Sequence, residues 1–235
     1  MRTAAILPVK RFALAKQRLG SSAPAGVRLK LARAMVHDVL HALALVAAIE
    51  RTIVITDEPE IGAAARRDGA TVLADTAAAG QSAAVALGIE RALADGFERV
   101  LCVPGDCPAL DPGDLQALLD SGSRPPEVVI VPDRHGAGTN GLLLAPPDVI
   151  APSFGPDSCA RHRSLADASG ARCRLEHPPS LLLDIDTGED LAVLREQLEA
   201  HGLGAHGGSQ LGRATHTRAV LGLPASLSAA ATGGS

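Results

Sequence analysis

A chain of 235 residues can bury a sizeable core in one large domain, or in one domain with a tail. Hydrophobic residues make up 46% of it but aromatics only 1%, three Phe with no Trp or Tyr, so the core is expected to be aliphatic. That scarcity disfavours a base-stacking reader of single strands, and a net charge of −4 disfavours a nucleic-acid backbone as partner.

The N-terminus, "MRTAAILPVKRF", has too short an apolar run for a signal peptide, and no window approaches a membrane span. "TAAILPV" (3–9) reads as a buried strand. Residues 25–46 carry Leu29, Ala32, Val36, Val39, Leu40 and Leu43 at helical spacing. "RTIVIT" (51–56) is the next strand, "EIGAAARRDG" a helix stopped at Gly69, and "ATVLAD" (70–75) a third strand. An Ala-rich helix over 81–95 leads to the strand "RVLCVP" (99–104). Helix 112–120, strands 127–132 and 140–145, and a helix near 158–169 follow. Strands over 171–176 and 180–186 and a helix from 188 to 200 complete the pattern. From 201 to 235 the chain is rich in Gly, Ala, Ser, Thr and His and reads as a disordered tail, with one helical turn at 217–222.

Continuous apolar strands alternating with helices imply an α/β fold, a mainly parallel sheet with helices on both faces. Ligands then bind outside the carboxyl ends of the strands. Four Cys without a C-x-x-C pair suggest neither a zinc ribbon nor a disulfide framework, so reduced thiols and a soluble cytoplasmic protein are expected.

The loop after the first strand, "LPVKRFALAKQRLG", gathers Lys10, Arg11, Lys16 and Arg18 where such sheets commonly receive phosphates. It contains neither a P-loop nor a dinucleotide glycine pattern, and a solvated basic loop is the plain alternative. Acids stand opposite. Asp106 ends a strand in "VLCVPGDCPAL", and Asp184 and Asp186 sit two apart in "LLLDIDTGEDL", on one face if extended. Like charges so placed favour a shared cation, and oxygen ligands suit Mg²⁺. Thr187 and Asp190 read instead as a helix cap. A third cluster, "GTNGLLL" (138–144) with "SFGPDSCARHRS" (153–164), sets backbone N–H groups and Ser158 at a helix start, a compact anion cradle or an ordinary turn and cap. His162 there reads as a phosphate contact or a structural group rather than a general base.

These segments, in this order, resemble the guanylyltransferase family that activates a small phosphorylated acid during biosynthesis of the deazaflavin coenzyme F-420. The resemblance spans roughly residues 3 to 200 and rests on "LPVKRFALAKQRL", "VPGDCPAL", "PDRHGAGTNGLLL", "FGPDSCARHRSLA" and "LLLDIDTGEDL". It implies a Rossmann-like nucleotidyltransferase fold and transfer of GMP from GTP to 2-phospho-L-lactate, phosphoenolpyruvate or 3-phospho-D-glycerate, with Mg²⁺ and release of diphosphate. It places the metal on Asp106, Asp184 and Asp186, and the phospho-acid on Thr139, Gly155 and Ser158. The nucleotide falls to Lys10, Lys16, Arg18 and the turn at Gly80, with Asp106 and Lys16 as the catalytic pair. Gln17 and Gly80-Gln81-Ser82 depart from the family's usual residues, which leaves the base and ribose contacts open. The implied partners are GTP and a phosphorylated acid, with a homodimer allowed for and neither nucleic acid nor membrane expected. Two alternatives stay open at this point: a nucleotidyltransferase for another acceptor, and a non-catalytic nucleotide-binding module.

Overall fold

The computed structural model describes residues 1–12, 19, 24–75, 79–122, 124–202 and 213–224. Lys16, Gln17 and Arg18 lie outside the described residues, as do 203–212 and 225–235 of the expected tail.

Among the described residues, seven strands form one sheet in the order β3-β2-β1-β4-β6-β5-β7. They are β1 (Thr3–Val9), β2 (Arg51–Thr56), β3 (Thr71–Leu73), β4 (Arg99–Cys102), β5 (Glu127–Pro132), β6 (Thr139–Ala145) and β7 (Arg172–Leu175). β1 pairs in parallel with β2 and β4, while β6 runs antiparallel to both β4 and β5. β5 and β7 are parallel. The sheet is therefore mainly parallel with one reversed strand, and the reversal matters. It brings the first residues of β6, Thr139 and Asn140, to the edge where the parallel strands end.

Strand alternation divides the core. Ala5, Leu7 and Val9 of β1 face one side, packed with α1 (Ala25–Ala44), α2 (Pro59–Arg67) and α4 (Pro112–Asp120). Ala4 and Ile6 face the other, under α3 (Gln81–Ala94) and α5 (Ser158–Ser169). Gly88 lets α3 approach closely, since a Cβ there would lie 2.7 Å from Ile6 Cγ2. Helix α4 starts as its sequence dictates: Asp111 accepts from the N–H groups of Gly113 and Asp114, and Pro112 opens the first turn.

Two expectations change. Residues 180–186 are not a strand. A 3-10 turn (Pro179–Leu181) follows Pro178, and the next residues pair with no strand among the described ones. The backbone of this segment is engaged elsewhere: the Ser180 N–H donates to Asp114 Oδ2 at 3.1 Å and the Ile185 N–H to the Asp106 carbonyl at 3.0 Å. The alternation nevertheless survives, because Leu183 and Ile185 are buried while Asp184 and Asp186 are half-buried.

The second change concerns the tail. Thr215–Leu221 form a helix, α7, which packs on α1 and on α6 (Gly188–Gly202). Ala214 and Leu221 join Leu31, Met35, Leu194 and Leu198 in a third apolar cluster. Asp38 of α1 receives the backbone N–H groups of His216 and Thr217, at 2.9 and 2.8 Å. The buried Arg218 donates to the carbonyls of Leu198, Arg213 and Pro224. The turn expected at 217–222 is thus part of a helix that begins two residues earlier, and polar groups contributed by α1 and α6 hold it.

Candidate active site

Connections at the carboxyl edge of the sheet hold the candidate residues. Lys10 stands exposed just past β1. The segment beside it is braced by acids that follow β2: Arg11 pairs with Asp57 at 3.2 Å, and Glu58 accepts the N–H of Phe12 at 2.6 Å. Arg11 thus ties the residues just past β1 to those just past β2.

The second connection carries Asp106. Gly105 before it lies close under α1, where a Cβ would make a tight contact of 3.0 Å with Val36 Cγ2. The Asp106 carbonyl accepts the N–H of Ile185 at 3.0 Å, so this loop and the 182–187 segment are tied backbone to backbone. Buried Ile185 and Leu183 anchor that segment in the third cluster.

Asp184 is consequently set beside Asp106. Burial first, then the negative charge of Asp106, and less strongly that of Asp186, raise its carboxyl above the usual range. Asn140 opposes the shift, donating from Nδ2 to Asp184 Oδ1 at 3.1 Å and to the Leu182 carbonyl at 3.2 Å. Asn140 was in plain view within "GTNGLLL", but only the reversed β6 shows that its amide steadies an acid from a distant segment.

Thr187 and Asp190 cap α6 as their spacing predicts. The Asp190 N–H donates to Thr187 Oγ1 at 3.2 Å, and Asp190 Oδ2 accepts the Thr187 N–H at 2.7 Å and the Asp186 N–H at 3.1 Å. Burial works against the charge of Asp190. The Thr187 hydroxyl, the two backbone N–H groups and Arg134 outweigh it and lower its carboxyl. Arg134, 2.7 Å from Asp190, joins this cap to the loop between β5 and β6. That loop is wound on Asp133, which accepts the N–H groups of His135, Ala137 and Gly138 at 2.9–3.1 Å. A Cβ on Gly138 would lie 2.6 Å from Asp133 Oδ2.

The third cluster also assembles. Thr139 and Ser158 are buried and share a hydrogen bond, Ser158 Oγ donating to Thr139 Oγ1 at 3.0 Å. Gly155, at φ +112°, turns its carbonyl to the Ser158 N–H at 3.1 Å, and the Ala137 carbonyl takes the Cys159 N–H at 3.0 Å. Two N–H groups at the helix start therefore already have partners, and the Thr139 and Ser158 hydroxyls stand beside them. Arg161 secures the bend, donating to the carbonyls of Ser153, Phe154 and Pro156 and to Ser153 Oγ. Gly80, at φ +97°, precedes α3, and Ser82 two residues on accepts the Phe154 N–H at 2.8 Å. The turn expected at the nucleotide is thereby fastened to the bend expected at the acid. Ser82 was visible only as a departure from a family pattern.

Which ions this edge could hold follows from its donors. They are carboxylate oxygens, suited to a hard cation. Among the described residues, no group of three or more His, Cys, Asp or Glu side chains is set to hold an ion by itself. Asp106 and Asp184 are a neighbouring pair of carboxylates, the number Mg²⁺ would take from protein when phosphate and water complete its shell.

Residues 3–212 match the family described as "Guanylyl transferase CofC like". The chain belongs to that family. Its relatives include a phosphoenolpyruvate guanylyltransferase of Conexibacter woesei, 48% identical over 225 residues that cover 94% of this chain and 96% of that one. A protein of the same name from Rubrobacter xylanophilus is 38% identical, covering 84% and 94%. Among solved structures, a putative nucleotide-diphospho-sugar transferase from Desulfovibrio desulfuricans G20 superposes with a TM-score of 0.70 at 18% identity, covering 94% of each chain. A 4-diphosphocytidyl-2C-methyl-D-erythritol synthase superposes with a TM-score of 0.59 at 13% identity, covering 84% of this chain and 98% of its own. At such identities the likeness is one of fold alone. Membership of a guanylyl transferase family makes the chain an enzyme of the nucleotidyltransferase class. Among the described residues, no helix is long and apolar enough to cross a membrane.

Proposed function

We propose that the protein transfers GMP from GTP to the phosphate of phosphoenolpyruvate, releasing diphosphate, as a step towards the deazaflavin coenzyme. The family membership supports the guanylyl donor, and the names carried by relatives at 48% and 38% identity favour phosphoenolpyruvate over 2-phospho-L-lactate and 3-phospho-D-glycerate. The observation that carries the reading is the Ile185–Asp106 backbone bond. It draws two acid-bearing loops together at the strand ends, with Asn140 of β6 reaching from the hydroxyl cluster to Asp184.

The chemistry makes modest demands on acid–base groups. A phosphate oxygen of the acid is already an anion; it attacks the α-phosphorus of GTP, the bond to the β-phosphate oxygen breaks, and diphosphate departs. The difficulty is to bring two polyanions together in attack geometry, a problem of positioning and charge. Asp106, Asp184 and Asp186 would hold Mg²⁺, which when bound supplies positive charge to the phosphate oxygens. Lys10, with Lys16 and Arg18 of the same loop, would offset charge on the triphosphate and the leaving diphosphate. Thr139, Ser158 and the Gly155 bend would seat the acid, and the Gly80 turn the nucleotide.

The test is incubation with GTP, Mg²⁺ and each of the three phospho-acids separately, scoring diphosphate and product mass. A guanylylated phosphoenolpyruvate is expected. Turnover confined to another acid overturns the choice of acceptor, and no turnover with any of the three overturns the reaction.

A further inference from the structure

His162 lies on the first turns of α5, wholly buried, its ring edge-on to Phe154 with centroids 5.1 Å apart. Both ring nitrogens are engaged. Nε2 is 2.9 Å from the backbone nitrogen of Ser153, and Nδ1 is 3.1 Å from Thr139 Oγ1. A peptide N–H can only donate, so Nε2 must be the bare, accepting nitrogen. Burial, reinforced by the neighbouring Arg161, lowers the ring's pKa to about 4, so it is neutral near pH 7. Its single proton therefore sits on Nδ1 and is donated to Thr139.

The consequence falls on the hydroxyl pair. With a lone pair of Thr139 Oγ1 occupied by the His162 N–H, the Thr139 and Ser158 hydroxyls between them contribute two protons to one mutual hydrogen bond. One proton is left over, whichever hydroxyl carries it, and no protein acceptor for it is present among the described residues. Thr139, 7% exposed against 1% for Ser158, has the better outward access.

We propose that His162 is a positioning residue that orients the Thr139–Ser158 hydroxyl pair as a hydrogen-bond donor to an anionic oxygen of the phosphorylated acid. The identity of that ligand rests on the reading given under Proposed function. The orientation of the pair does not. A pair held as donor discriminates for a charged oxygen, because a donor group of a competing ligand would leave two protons facing each other.

Two substitutions separate the ring's two bonds. In His162→Asn the amide can stand near the position of Nδ1 and still donate to Thr139, while the acceptor for Ser153 is lost. In His162→Gln the longer side chain can reach the position of Nε2 and accept from Ser153, while the donor to Thr139 is lost. The Gln variant should raise KM for phosphoenolpyruvate by about 10-fold, as for one hydrogen bond to a charged group, with KM for GTP almost unchanged. The Asn variant should recover much of that loss even where its melting temperature is lower. If the Asn variant is the worse of the two for phosphoenolpyruvate, His162 merely holds the Ser153 bend and the proposal fails.

A second measurement is independent of turnover. Side-chain nitrogen NMR of the wild-type protein, with His162 assigned by the signal missing from the Gln variant, should show a protonated Nδ1 and a bare Nε2 at pH 7. A proton on Nε2, or a charged ring, overturns the proposal even in an active enzyme. The expected tautomer in a protein that turns over no phospho-acid supports the orientation of the pair and overturns the assigned reaction. A rise in KM for GTP alone overturns the placement of the acid at this cradle, and the ligand named here with it.

Discussion

Replacing Asp38 by alanine tests whether the C-terminal helix is an integral layer of this enzyme. Its two carboxylate oxygens accept separate backbone N–H groups at the start of α7, and the residue is 5% exposed. In the variant, water can reach the N–H of His216, which is an exposed residue, but Thr217 is fully buried. An unsatisfied buried N–H costs ~1–3 kcal/mol, and loss of a helix cap typically ~1 kcal/mol, two descriptions that overlap here. A net loss of ~2 kcal/mol is therefore expected, or roughly 4–8 °C in melting temperature for a chain of this size. Asp38→Asn, which keeps one acceptor oxygen as the protonated acid does, should recover part of the loss. Burial raises the carboxyl of Asp38 above its ordinary 3.8, outweighing the hydrogen bonds from Thr217 and His216 that lower it. The folded state thus holds that proton more tightly, and the contribution of Asp38 is complete below about pH 3.8 and declines as pH rises through its folded value. The cost of Asp38→Ala should accordingly be larger in acid than at neutrality. Thermal unfolding together with amide exchange across 215–221 makes the measurement. Unchanged melting and unchanged protection of α7 would refute the reasoning.

Deleting the chain from residue 213 onward should cost more than Asp38→Ala, because burial of Leu221 alone is worth ~1.5–3 kcal/mol and its partners Leu31 and Met35 would be uncovered; a calorimetric scan checks it. Asp184→Asn keeps an oxygen for Asn140 but removes a charge repelled by Asp106, so metal-free stability should hold or rise while turnover falls by ~100-fold or more. Melting in chelator against a Mg²⁺ titration should show, for the wild type only, stabilisation approaching ~2.7 kcal/mol at an ion concentration 100 times Kd. Gly88→Ala drives a Cβ to within 2.7 Å of Ile6 Cγ2, and overpacking of this kind costs ~1–3 kcal/mol, read as a lower melting temperature. His162, at about 4 when folded against 6.5 ordinarily, takes up its proton earlier in the unfolded chain. Its contribution, ~3 kcal/mol at most, should be present above pH 6.5 and lost as pH falls towards 4, a slope that His162→Gln would remove.

By itself the sequence determined the layer architecture, because continuous apolar strands and helical periodicity are local patterns that admit few packings. Val100–Cys102, for example, belong to a short apolar run stopped by Pro104 and Gly105, too short for a helix, and Thr187 with Asp190 announces the cap of α6 through spacing alone. The candidate acids were legible for the same reason, as short polar interruptions at strand ends. What only the tertiary structure decided concerns pairs far apart in the chain. The reversed β6 puts Asn140 on Asp184, Ile185 on Asp106 joins two acid loops, and Asp38 caps a helix of which the local pattern shows one turn but not the partner it packs on. His162 is the sharpest case. As one histidine on a polar helix it reads as a contact or a filler, and only the positions of Ser153 and Thr139 around its ring assign its proton. A hydrogen bond between residues distant in sequence leaves no periodicity behind, so its two ends can be quoted from the chain without showing that they meet.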